Sequence, residues 1–201
     1  MFHLQGHGKT TVLRDLVRNI SDELRANVSV IDERGEIASA YKGVPQNNVG
    51  IRTDILSNIQ KDIGMKMMIR SMAPKVIAAD EIGNEADVEA INYALCSGVK
   101  GIFTAHGYDL EDLILNNTIQ ILIDKKVFER IIVLDTIKKG EIQKVYVLDK
   151  DTKKYEEVWG AERELGSFSE EWIVNNTKLL RNFDVGATIG RPRSEGITIN
   201  K

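Results

Sequence analysis

At 201 residues, with 42% hydrophobic and 28% charged side chains, the chain suits one domain with an appendage or at most two small domains, and it has apolar material for a core. A net charge of −3 and a pI near 5.7 weigh against a nucleic-acid binder, whose domain is ordinarily basic. The longest apolar runs, such as Val76–Ala79 and Ile131–Leu134, are far too short to cross a bilayer, and Met1–Gln5 lacks the basic start and apolar stretch of a signal peptide. Cys96 is the sole cysteine, which excludes an intramolecular disulfide. A cytoplasmic protein is expected, with any membrane contact peripheral at the inner face. Cys96 itself reads as a small buried residue at a helix end, because no His or Arg stands near it to activate a thiol.

In chain order, Val12, Leu13, Leu16, Val17, Ile20 and Leu24 recur on one face of a first helix that Asn27 would end. Strands are expected at Val28–Asp32, Val76–Asp80, Gly101–Ala105 and Arg130–Asp135, alternating with helical segments as in an α/β domain with a mostly parallel sheet. Between the first two lies an apolar helix rich in Met65, Met67, Met68 and Met72, read as core filling. Val88, Ile91, Ala94 and Leu95 form another helical face, stopped at Ser97-Gly98. Asp109 is placed to cap a helix carrying Leu113, Ile114, Ile121 and Leu122. After Asp135 the pattern changes to antiparallel strands, Glu141–Asp149 and Tyr155–Trp159, around a charged turn. A division follows: residues 1–160 as the core, and 161–201 as an appendage with one helix at Ser169–Leu180 and an aperiodic tail.

The chemistry concentrates at the ends of these elements. Gly6-His7-Gly8-Lys9-Thr10-Thr11 opens directly into the first helix. Glycines allow successive N–H groups to turn toward phosphate oxygens, and the helix N-terminus favours an anion. A lysine there reaches the outer phosphates, and the next hydroxyl suits Mg²⁺; this is the second half of the pattern G-x-x-x-x-G-K-S/T. The full pattern places glycine at position 3, where this chain has His3, so a simple helix-starting turn stands as the alternative.

The apolar run Val76–Ala79 leads into adjacent carboxylates, Asp80 and Glu81, at the end of a sheet strand where α/β folds hold ligands. Asp80 suits the Mg²⁺ shell and Glu81 the attacking water. The alternative is a solvated acidic pair opening a loop. Asp32-Glu33-Arg34-Gly35-Glu36 and Thr104-Ala105-His106-Gly107 follow two other strands; the first is either part of the site or a charged loop, and His106 is either structural or a γ-phosphate or water contact. Arg52 and Arg70 flank the methionine-rich helix, and each either neutralises phosphate charge, within the chain or across a subunit boundary, or anchors a loop.

Five ordered motifs carry a resemblance over about residues 6–158: Ile31–Ala38, Gly43–Asp54, Ile69–Pro74, Val76–Gly83 and Thr104–Gly107. Together they resemble the stage III sporulation protein AA family of P-loop ATPases, related to the type II and IV secretion ATPases. The resemblance implies a RecA-like P-loop core of the additional-strand class. It further implies ATP and Mg²⁺ as cofactors, a homo-oligomeric ring, and membrane-embedded channel proteins of endospore formation as partners, with no nucleic acid. It assigns Lys9, Thr10 and the surrounding Gly6, His7, Gly8 and Thr11 to the nucleotide, and Thr10 and Asp80 to the metal. Glu81 becomes the catalytic carboxylate, Glu33 a member of an acidic box and His106 of a histidine box. Family members carry an N-terminal domain and a full strand before the P-loop, lying between the fourth and fifth strands, whereas only Phe2–Leu4 precede it here, so a shortened N-terminus with exposed strand edges is expected. Three functions are therefore carried forward: a hydrolysing motor subunit, a nucleotide-binding assembly component that does not hydrolyse, and, disfavoured by charge, a nucleic-acid motor.

Overall fold

A computed structural model describes residues 8–135 and 137–160. Four parallel strands, β1 (Val28–Asp32), β2 (Thr53–Ser57), β3 (Val76–Ala79) and β4 (Lys100–Phe103), form a sheet in the order β2-β1-β3-β4. Every residue of β1 and β3 is buried, as expected for central strands of a sheet covered on both faces.

The alternation of side chains sorts the core into two halves. Val28, Val30, Val76 and Ala78 pack with Leu13, Val17 and Ile20 of helix α1 (Lys9–Asp22). Ile31, Ile77 and Ala79 point the other way, into Met65 and Met68 of α2 (Lys61–Met72) and Val88, Ala90, Ile91 and Ala94 of α3 (Glu85–Cys96). Each fully buried aliphatic side chain contributes about 1.5–3 kcal/mol, so the helices are held by their apolar stripes more than by intrinsic propensity. At Gly64 in α2 a Cβ would come within 2.9 Å of Ile31, and glycine there lets the helix lie close on the sheet.

Beyond β4 come α4 (Leu110–Leu115) and α5 (Asn117–Asp124). Strands β5 (Arg130–Leu134), β6 (Ile142–Leu148) and β7 (Tyr155–Gly160) then form a separate antiparallel sheet in the order β5-β6-β7. Tyr155 ties this sheet to the preceding turn, its hydroxyl donating to the Phe128 carbonyl at 2.8 Å. Burial pushes that phenol above its usual range.

The expected α/β core with an antiparallel C-terminal hairpin is therefore present, with several corrections. The run Arg130–Asp135, expected among the parallel strands, pairs instead with β6, which returns directly through a short turn. β2 was not expected; its Asp54 and Ser57 mask the alternation, and it is drawn in by pairing with β1. The helix expected across Leu113 and Ile121 is two helices, because Asn116 leaves helical geometry and caps the second with its own side chain. Leu24 lies beyond the end of α1, which stops at Asp22. Cys96 is exposed rather than buried, and Met67 and Met72 are about half exposed, so only Met65 and Met68 fill the core. The helix expected at Ser169–Leu180 and the tail lie outside the described residues.

Candidate functional site

From β1 the chain passes to β2 on one side, and from β2 it crosses through α2 to β3 on the other. The crevice outside the carboxyl ends of β1 and β3 is the switch point at which parallel sheets hold ligands. Asp32, Glu33, Arg34, Glu36, Lys61, Asp80 and Glu81 line a concavity there.

α1 points its N-terminus at this edge. Its cap, Gly8, takes the left-handed conformation (φ 82°) and offers no side-chain cap to the first-turn N–H groups, and that turn carries no acidic residue. Those N–H groups and the helix dipole favour an anion. α3, by contrast, is closed by a reciprocal capping box between Asn84 and Asp87, and α4 and α5 by Asp109 and Asn116.

Thr10, on the first turn of α1, donates its hydroxyl to Asp80 Oδ2 at 2.6 Å. Asp80 Oδ1 accepts from the Thr104 hydroxyl, and Thr104 Oγ1 in turn accepts from the Glu81 backbone N–H at 2.8 Å. Thr104 thus joins the ends of β3 and β4 and holds the Asp80 carboxylate and the Glu81 backbone. Glu81 itself has φ 57°, a left-handed conformation uncommon for a residue with a side chain. Its side chain is held from two directions: Oε2 accepts from Arg34, and Oε1 faces His106 Nε2 at 3.0 Å. His106 Nδ1 lies 3.3 Å from Lys9 Nζ. An ammonium can only donate, so these hydrogen bonds assign the lone pair to Nδ1 and the proton to Nε2.

Lys9, Thr10, Asp80, Glu81 and His106 are thereby brought into one hydrogen-bonded network. Glu33 joins the same edge through Lys61, whose ammonium donates to Glu33 Oε2 at 2.7 Å and lies 4.0 Å from Asp87. Thr11 is exposed on α1, one residue past this network, and Gly6 and His7 lie outside the described residues.

Arg52 and Arg70 are not brought to the site within one chain. Arg52 sits at the opposite end of the strands, its carbonyl accepting from Val28 at 3.0 Å and its N–H donating to Ser21 at 2.7 Å. Arg70 is nine residues along α2 from Lys61, a rise of about 13 Å. There it donates to the Tyr93 hydroxyl at 3.3 Å and lies over that ring, and the hydrogen bond raises its pKa.

Sequence reasoning missed Arg34 and Lys61 as site residues. Arg34 stood inside a motif already singled out, but its partner is 47 positions away. Lys61 carries no sequence signal of its own; its burial, at 8% exposure, is what marks it.

The metal assignment rests on donor chemistry. A threonine hydroxyl and one carboxylate oxygen in contact are hard oxygen donors of the kind Mg²⁺ uses together with water and phosphates. Among the described residues no group of three or more His, Cys, Asp or Glu is arranged to hold a metal by itself.

Comparison with known proteins follows the same stretch of chain. The stage III sporulation protein AA of Bacillus subtilis is 40% identical over 149 residues, which is 72% of this chain and 48% of that protein. An uncharacterized protein, ycf45, of Porphyra purpurea is 38% identical over 121 residues, and the protein SEEDLING PLASTID DEVELOPMENT 1 of Arabidopsis thaliana is 35% identical over 121; the match takes in 59% of this chain and 21% and 17% of theirs. The chain thus spans about half the length, or less, of the curated relatives it matches. Among solved structures, the Legionella pneumophila ATPase DotB aligns with 74% of this chain and 45% of its own, at a TM-score of 0.49 and 16% identity. A family model described as Sporulation stage III, protein AA matches residues 5–153, a span that takes in Lys9, Asp80, Glu81 and His106 and all five ordered motifs, and this chain belongs to that family.

Proposed function

We propose that this chain is the ATP-binding and ATP-hydrolysing core of a sporulation motor subunit. In this reading it works as a homo-oligomeric ring, at the inner face of a membrane, on channel proteins embedded there. The observation that carries the catalytic part is the convergence of an uncapped helix N-terminus, Lys9, the Thr10–Asp80 contact and Glu81 at one switch point.

In this reading Gly6, His7, Gly8 and Thr11 supply the phosphate loop and Lys9 neutralises the outer phosphates. Thr10 and Asp80 would hold Mg²⁺, which when bound neutralises phosphate charge. Glu81 orients and deprotonates the attacking water. His106, between Lys9 and Glu81, holds that carboxylate in line, and Glu33, fixed by Lys61, lends its charge to the same edge. Arg52 and Arg70, on the far side of one chain, would act only from a neighbouring copy.

The second reading, a component that binds nucleotide without turning it over, draws on one observation: both oxygens of Glu81 are already engaged, by Arg34 and His106. Measurement separates the two. Lys9→Ala is expected to abolish ATP binding by calorimetry. Glu81→Gln is expected to keep binding and lose hydrolysis by about a hundredfold, the scale of a positioned base. A parent that binds Mg·ATP and releases no phosphate would establish the binding component instead.

A further inference from the structure

The turn between β5 and β6 belongs to the antiparallel sheet, yet it lies against the phosphate loop. A Cβ built on Gly8 would stand 2.8 Å from the Gly140 nitrogen, 3.0 Å from its Cα and 3.5 Å from the Lys139 carbonyl carbon. The two main chains are in direct contact, and a side chain at position 8 would drive them apart.

The turn is built to hold that position. Asp135 Oδ1 accepts from the N–H groups of Ile137 at 2.6 Å and Lys138 at 2.8 Å. The Asp135 N–H donates to the Glu141 carbonyl at 2.8 Å, and the Glu141 N–H to the Lys138 carbonyl at 3.1 Å. Gly140 completes the bend with φ 81°. Lys138 leans back onto Glu141, with 3.4 Å between the charged groups. Lys139 is exposed and has no hydrogen bond or ion pair among the described residues.

Charge at the site gives the turn a purpose. The concavity presents five carboxylates against Arg34 and Lys61, and those two cations are already paired with Glu81 and Glu33. A nucleoside di- or triphosphate brings several more negative charges to this edge. Lys9 and a divalent ion serve the outer phosphates. The amide of a loop glycine such as Gly8 serves the inner ones.

We propose that the Lys138-Lys139-Gly140 turn is a wall of the polyphosphate site, and that Lys139 supplies the cation for the α- and β-phosphates. This rests on the nucleotide reading above and adds a binding residue to it. The flexible four-carbon stem of lysine lets a charge anchored beside Gly8 follow the phosphates, and its exposure means that truncation leaves the fold intact.

The test is calorimetric titration of the whole chain with Mg·ATP and Mg·ADP at low salt, comparing the parent with Lys139→Ala, Lys139→Arg and Lys9→Ala. Lys150→Ala, on the remote β6–β7 turn, serves as the control. Lys139→Ala is expected to weaken ATP and ADP alike, by about tenfold, since both carry the α- and β-phosphates. Lys139→Arg and Lys150→Ala should stay within about twofold of the parent. ATP and ADP affinities unchanged in Lys139→Ala, while Lys9→Ala loses binding, would overturn the role of Lys139 and leave the nucleotide reading standing. A parent that binds neither nucleotide overturns both.

Discussion

Asp32 is the residue on which the loop behind the site depends. It is 2% exposed, at the end of β1, and its two oxygens accept from the backbone N–H groups of Ile37 at 3.0 Å and Ala38 at 2.9 Å. The bonds close the segment that carries Glu33 and Arg34 and bury Ile37 and Ala38 in the core beneath α1. In Asp32→Ala two buried donors lose their acceptor, at about 1–3 kcal/mol each, partly offset by no longer burying a carboxylate; the net expectation is a loss of about 2–4 kcal/mol. Asp32→Asn keeps one acceptor oxygen and is expected to lose about half as much. Urea unfolding with a shared slope would measure both. Amide exchange should show faster opening at Ile37 and Ala38 than at the β3 amides in Asp32→Ala. If Asp32→Ala lies within about 0.5 kcal/mol of the parent, or Asn costs more than Ala, the loop is held by something else and the argument fails.

Gly8→Ala meets two obstacles, a φ of 82° and the Gly140 nitrogen 2.8 Å from the new carbon, so nucleotide affinity should fall by about a hundredfold while α1 stays folded. Affinity within threefold of the parent, by calorimetry, would show that the loop and turn part freely. The N–H groups of Lys138 and Ile137 hold the Asp135 carboxyl below the ordinary carboxylate range. A folded value below the unfolded one means that its contribution to stability is present above the unfolded pKa, about 3.9, and is lost as pH falls through the folded value. Titration of the Asp135 carboxyl carbon by NMR should give a midpoint under about 3.9, and a midpoint at or above it would contradict the turn's hydrogen bonds.

Much of this was legible because local and global signals agree. Val76–Ala79 followed by Asp80 and Glu81 read as a buried strand delivering acids to its end, and the structure buries all four apolar residues. The run Gly6–Thr11 announced that a helix opens there, and α1 starts inside it at Lys9. What stayed hidden depends on partners far along the chain. β2 is a strand because β1 pairs with it, not because its sequence alternates. Lys61 and Arg34 acquire meaning from Glu33 and Glu81, 28 and 47 positions away. Likewise nothing in Lys138-Lys139-Gly140 says that the turn will meet Gly8, since the contact joins the cap of α1 to a distant turn of the antiparallel sheet.

The network around Glu81 also orders the events that a bound nucleotide would bring. Lys9 is the link between the phosphate loop and His106, at 3.3 Å, and His106 is the link to Glu81, at 3.0 Å. Phosphates arriving at the N-terminus of α1 would compete for Lys9, because an ammonium bonds an anionic phosphate more strongly than a ring nitrogen. His106 then has a ring nitrogen without its donor, beside a carboxylate whose other oxygen belongs to Arg34. Arg34 is 60% exposed, so it can follow either Glu81 or the new negative charge, whereas Thr104 holds the backbone of Glu81 and the Asp80 carboxylate in place from within. In the proposed nucleotide reading, binding would free the side chain of Glu81 without loosening its position on the sheet. That is the combination the proposed general base would need, and the two threonines and the two cations stand where they could supply it.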